Sequence, residues 1–237
     1  MNYPKMIIFD YGETLLTENE PDFMRANEML INLATKNKSG ATAKDLNDLS
    51  YSIWETYGKD VRDMGFEISS NKIEKYVYEY FGIEFDLSAE EVEILYWKAV
   101  ANGNMMPNTD KMLDYLNSKG VRTAVVSNIG WSGNALTERI NRLLPNNKFE
   151  FIIASSDYIF RKPSPMIFNL ALRKADLNAN EVWYCGNDLK ADVQGSSSAE
   201  IFPVWYDNYK LKKTDLDIDH LYINEWEEMI DILEKIK

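Results

Sequence analysis

The chain has 237 residues, 45% of them hydrophobic and 27% charged, enough apolar side chain for a sizeable core and too much for a disordered segment. Its 38 acidic against 26 basic side chains leave a formal charge of −12, which repels nucleic-acid phosphates and anionic lipid, so neither nucleic acid nor membrane is an expected partner. No apolar run approaches the roughly 18 residues of a membrane helix, the N-terminal run is too short for a signal peptide, and the single cysteine, Cys185, admits no internal disulfide, so a cytoplasmic location is expected.

Residues 5–10 read as a short buried strand that ends in Asp10 and turns at Gly12. From Pro21 to about Asn102 the apolar spacing becomes helical, over residues 22–38, 43–64, 69–81 and 88–101, divided by Gly40, Gly65 and Gly82. Ser88-Ala-Glu-Glu91 has the form of a capping box. Most aromatics of this block, Trp54, Tyr57, Tyr76, Tyr80, Tyr96 and Trp97, fall at helical spacing and are expected in a core.

Beyond Pro107, helix and strand alternate. A helix over 109–119 is closed by Gly120, a strand covers 121–127, and a helix over 132–144 is stopped by Pro145. A strand at 149–154 precedes a helix over 165–175 opened by Pro165. Strands at 182–185 and 201–205 flank a helix over 189–199, and a helix over 225–237 closes the chain. This alternation implies an α/β architecture, a parallel sheet covered by helices on both faces. The expected organisation is a core of 1–16 and 106–237, interrupted by a helical block at 17–105.

Ligands of open parallel sheets bind at the carboxyl ends of the strands. There the sequence places Asp10-Tyr-Gly-Glu-Thr14, Ser127-Asn128 and Gly186-Asn-Asp188 with Asp192 beyond, while Lys162 lies between the last two strands of this set. A carboxylate, a hydroxyl, an ammonium and an acidic cluster are thus expected on one rim.

Taken in this order, the motifs resemble those of the haloacid dehalogenase superfamily, with Asp10–Thr14 as the first, Ser127 the second, Lys162 the third and Gly186–Asp192 the fourth. The resemblance spans the whole chain. It implies a Rossmann-like core with a helical cap inserted after the first motif, and a Mg²⁺-dependent phosphatase acting on a small phosphorylated metabolite through an aspartyl phosphate on Asp10. Ser127, Asn128, Thr14 and Lys162 would bind the phosphoryl group. Asp10, the Gly12 carbonyl, Asn187 and Asp188 would hold the metal, with Asp192 behind them positioning Lys162 or a metal-bound water.

Two departures from the family pattern bear on the chemistry. Gly12 stands where an aspartate usually protonates the leaving oxygen, with Glu13 the adjacent candidate substitute. The fourth motif reads in two ways, with Asn187 or Asp188 at the metal. Two other readings follow from these departures: a non-catalytic binding protein, or a metal-free dehalogenase in which Asp10 attacks carbon. Arg25, on the first inserted helix, is a candidate for a second anionic group of the substrate. Cys185 reads as packing and His220 as structural or exposed. Oligomeric state has no signal in the chain.

Overall fold

In a computed structural model that describes residues 2–209 and 217–236, the N-terminal strand is β1, Met6–Phe9, with every residue buried. Its side chains alternate between two hydrophobic clusters: Met6 and Ile8 join one, Ile7 and Phe9 the other. A strand buried on both faces is the centre of a parallel sheet.

After β1 the chain enters a short strand β2 (Leu16–Glu18) and a series of helices, α1 (Phe23–Leu33), α2 (Ala43–Ile53), α3 (Lys59–Asp63), α4 (Ser70–Phe81) and α5 (Ala89–Val100). The helix expected over 22–38 stops at Leu33, because β3 (Lys36–Asn37) pairs antiparallel with β4 (Ile83–Glu84). The helix expected over 43–64 holds a wide π turn at Trp54–Gly58, where the Trp54 ring covers Gly58. A Cβ on Gly58 would lie 2.3 Å from that ring. The capping box at Ser88 opens α5 as expected. Of the aromatics expected in a core, Tyr96 and Trp97 are buried, whereas Tyr57, Tyr76 and Tyr80 are exposed on their helices.

Two clusters of its own hold this helical segment together. Ala26 and Leu30 of α1 pack on Val92, Tyr96 and Val100 of α5, and Leu46 of α2 packs on Ile73 and Val77 of α4. The return strand β5 (Gly103–Met105) pairs antiparallel with β2, so the two connections between the core and the helical segment form one ribbon.

The remaining elements alternate: α6 (Thr109–Ser118), β6 (Arg122–Ser127), α7 (Gly133–Leu143), β7 (Ile152–Ala154), α8 (Pro165–Ala175) and β8 (Val182–Gly186). They continue through α9 (Gly195–Ser198), β9 (Phe202–Tyr206), β10 (Leu221–Ile223) and α10 (Trp226–Lys235). β7 is shorter than expected, and the helix expected over 189–199 begins as a π turn at Leu189–Gln194 before α9. Of the expected core, residues 1, 210–216 and 237 lie outside the described residues, Lys237 being the last of the expected closing helix.

Among the described residues the main sheet is parallel, in the order β10-β9-β8-β1-β6-β7. The helices α6, α7 and α10 cover one face and α8 the other. This is the α/β Rossmann-like architecture the alternation implies. No helix among the described residues is long and apolar enough to cross a membrane.

Candidate active site

The carboxyl ends of β1, β6 and β8 lie side by side, so parallel register by itself brings Asp10, Ser127 and Gly186–Asp188 to one rim. Asp10 extends β1 by one residue, its N–H donating to the Cys185 carbonyl at 2.8 Å. Lys162 arrives from the loop before α8. Its backbone is gripped by Asn128, whose Oδ1 accepts from the Lys162 N–H at 2.7 Å while its Nδ2 donates to the Lys162 carbonyl at 2.8 Å. Asn128 therefore spends both ends of its amide on placing the lysine.

The three protons of the Lys162 ammonium have three partners. Nζ donates to Asp10 Oδ1 at 2.6 Å, to Asp192 Oδ1 at 2.6 Å and to the Tyr184 hydroxyl at 2.7 Å. Tyr184 in turn donates to the Val126 carbonyl at 2.8 Å. Asp192 Oδ2 accepts from the Asp188 N–H at 2.9 Å, so Asp192 fixes both the lysine and the start of the following turn. Gly186 makes this possible: a Cβ there would sit 2.3 Å from the Asp192 carboxyl carbon.

Burial dominates the electrostatics. Loss of hydration raises the Asp10 carboxyl to about 6, with Asp192 adding to the rise and the ammonium of Lys162 and the Tyr11 N–H opposing it. For Lys162 burial alone would lower the ammonium, yet Asp10 and Asp192 outweigh it and hold it above the ordinary lysine range. Two buried carboxylates thus share one ammonium. The excess negative charge calls for another cation before a phosphate dianion can approach.

A cavity of about 650 Å³ opens over this cluster, lined among others by Asp10, Gly12, Ser127, Asn128, Lys162, Asn187, Asp188 and Asp192. Thr14 stands apart from them, fully buried, outside the lining and with no partner for its hydroxyl. Asp188 is exposed and caps the following turn through Oδ1, which accepts from the Lys190 and Ala191 N–H groups. The Asn187 carbonyl accepts from the Trp205 indole at 3.0 Å, and Asn187 is among the residues that line the cavity. Asp10, the Gly12 carbonyl, Asn187 and Asp188 offer oxygen donors only, and their net negative surroundings suit Mg²⁺, which keeps several of its own waters. No group of three or more His, Cys, Asp or Glu side chains with metal-binding spacing occurs among the described residues. Any such cation would therefore rely on few protein ligands.

Glu13 adopts a left-handed backbone, φ 54°, uncommon outside glycine. Its Oε1 accepts from Thr17 at 2.5 Å and its Oε2 from the Tyr209 hydroxyl, so both carboxyl oxygens are already engaged by neighbouring hydroxyls. Arg25 lies outside the site, its guanidinium donating to the Ala99 carbonyl. Cys185 is buried in β8.

Sequence reasoning does not find the residues by which the helical segment meets the rim. Glu67 accepts from Ser155 at 2.7 Å and from Arg62 at 3.1 Å, with Arg161 at 3.6 Å. Glu93 accepts from the Ser132 hydroxyl at 2.6 Å. Both glutamates are buried, Glu67 in the loop between α3 and α4 and Glu93 on α5, and neither loop composition nor helical periodicity marks an acid that turns inward. Arg62 and Arg161 line the Asp10 cavity.

Residues 7–206 match the family model of the haloacid dehalogenase-like hydrolases. The chain is 25% identical to a glyceraldehyde 3-phosphate phosphatase of Pyrococcus furiosus, over 72% of this chain and 78% of that protein. It is 26% identical to a ribulose-1,5-bisphosphate 5-phosphatase of Halopiger xanaduensis over 47% of this chain, spanning about half (46%) of the relative's length. Among solved structures it superposes on a 2-haloacid dehalogenase from Pseudomonas syringae, with TM-score 0.67, 18% identity, and 98% and 99% of the two chains covered. A phosphatase of the same fold from Thermococcus onnurineus gives TM-score 0.56 at 20% identity, covering 98% of both chains.

Proposed function

We propose that this chain, which belongs to the haloacid dehalogenase-like hydrolases, is a phosphatase that hydrolyses a small phosphorylated metabolite with Asp10 as nucleophile. The observation that carries this reading is the Lys162 ammonium, buried in the lining of the cavity and held at 2.6 Å from both Asp10 and Asp192. The phosphatase relatives support the substrate class.

Lys162 grips Asp10 Oδ1 and so orients Oδ2 for attack on phosphorus. Attack forms an aspartyl phosphate and breaks the bond to the leaving oxygen, and water then hydrolyses the acyl phosphate. Ser127 closes the wall beside the phosphoryl oxygens. Asn128 contributes by fixing Lys162, and Asp192 by returning the lysine to one position. Mg²⁺ held by Asp10, Asn187, Asp188 and the Gly12 carbonyl would supply the charge neutralisation that lets an anion attack an anion. The helical segment, residues 17–105, serves as a cap: the Glu67–Ser155 and Glu93–Ser132 contacts close it over the rim and limit water.

No side chain at Gly12 can donate a proton, and Glu13 already accepts two hydrogen bonds. Without general acid help, worth about 10²–10⁴-fold, esters of weakly basic leaving groups are favoured. A second reading, displacement at the carbon of a haloacid, is favoured by Gly12, because a halide leaves without needing a proton. Release of p-nitrophenol from its phosphate, inorganic phosphate from glyceraldehyde 3-phosphate and halide from a 2-halopropionate, each with and without Mg²⁺, separates them. The proposal expects Mg²⁺-dependent phosphatase activity that disappears in Asp10→Asn. Metal-independent halide release instead establishes the second reading, and no product from any compound leaves a binding protein.

A further inference from the structure

A second cavity, of about 400 Å³, lies in the helical segment and shares Arg62, Asn128, Ile129 and Trp131 with the Asp10 cavity. A group attached to a phosphate at Asp10 can therefore pass over Trp131 into it. Its walls carry Trp54, Tyr96 and Trp131. Trp97 stacks on one side of Trp131, with centroids 5.1 Å apart and planes 10° off parallel, and Arg62 lies over Trp54 at 4.6 Å. Aromatic walls of this kind suit a flat ring.

The polar end of the chamber is Glu74 of α4, 8% exposed. Its Oε1 accepts a 3.2 Å hydrogen bond from Ser50. Its Oε2 has no partner within hydrogen-bonding geometry, although the Tyr78 hydroxyl interacts with the same carboxyl group and favours its charged form. A buried acceptor left open costs stability, and such groups in folded proteins ordinarily have a partner. A hydrocarbon group would bring no donor to Glu74 Oε2, and a sugar alone would leave the indole and phenol walls bare. A planar nitrogen ring with N–H donors serves both.

We propose that this chamber is the subsite for the leaving group of the substrate, that Glu74 accepts N–H bonds from a nucleobase there, and that the substrate class is a nucleoside monophosphate. The proposal rests on the phosphatase reading above and adds the identity of the alcohol. Glu74 acts as a specificity residue, away from the reacting atoms.

The test compares guanosine 5′-monophosphate with ribose 5-phosphate, the same ester without the base, using p-nitrophenyl phosphate as reference. The wild type is expected to favour the nucleotide over ribose 5-phosphate in kcat/KM by about tenfold to a hundredfold, the worth of a hydrogen bond to a charged group. In Glu74→Gln that ratio falls towards one. Equal kcat/KM for the two sugars' phosphates, with p-nitrophenyl phosphate hydrolysed, overturns the subsite and leaves the phosphatase reading standing. A high ratio that Glu74→Gln does not change overturns the role of Glu74. If no ester is hydrolysed, the phosphatase reading fails, and calorimetry with guanosine decides the subsite separately. Binding weakened at least tenfold in Glu74→Gln upholds it, and no binding to the wild type overturns it.

Discussion

Replacing Glu74 by Gln should make the protein more stable, and more so the higher the pH. Burial raises the Glu74 carboxyl from 4.5 to about 7, against the smaller opposing pull of Ser50 and Tyr78. The folded state therefore holds this proton more tightly than the unfolded chain. Its contribution is fully present below pH 4.5, declines as pH rises, and is lost above about 7. A shift of that size corresponds to about 3 kcal/mol between the two limits. Glutamine keeps the shape and does not ionise. The variant should match the wild type near pH 4.5 and exceed it by about 3 kcal/mol at pH 8, or roughly 6–12 °C in melting temperature for a chain of this length. The other ionisable groups around Glu74 do not mimic this result. Burial holds Tyr78 and Tyr96 above their ordinary range, so they stay neutral, and Glu93 is present in both proteins and cancels in the difference. Urea titrations of both proteins at pH 5 and pH 8, read as midpoints at constant slope, measure the effect. A stability difference that is the same at the two pH values refutes the reasoning. A group retained at such a cost is expected where function needs it.

Lys162→Met leaves Asp10 and Asp192 buried without their ammonium and should cost about 3–5 kcal/mol; adding Asp192→Asn should recover much of that, and a urea midpoint that barely moves in the single variant would contradict the arrangement. Gly186→Ala drives a Cβ to within 2.3 Å of the Asp192 carboxyl, so activity should fall and stability drop by about 1–3 kcal/mol, whereas wild-type kinetics would show that Asp192 need not hold its place. Millimolar Mg²⁺ should raise the melting temperature of the wild type, by the equivalent of about 2.7 kcal/mol at a hundredfold excess over Kd. The rise should vanish in Asp10→Asn, and no rise in the wild type would remove Asp10, Asn187 and Asp188 as a cation site.

Local pattern was enough to read the α/β core from the sequence, because a strand buried on both faces and a helix with one apolar face leave different periods in the chain. Asp10, Ser127 and Gly186 were legible for the same reason: in a parallel sheet, sequence position at a strand's carboxyl end is already spatial position. The pairings were not. Nothing in the residues around Asn128 says that its amide holds Lys162, or that Gly186 is bare so that Asp192 can reach the ammonium, since both depend on loops meeting across 34 and 6 positions of chain. Nor does helical spacing separate Tyr57, Tyr76 and Tyr80, which face solvent, from Tyr96 and Trp97, which do not. The acids Glu74 and Glu93 look in sequence like any solvated helix face, and Glu67 like any acid of a connecting loop. Tertiary packing alone turned them inward, two to fasten the helical segment to the rim and one into a chamber beside it, because burial of a charge is decided by what lies opposite it.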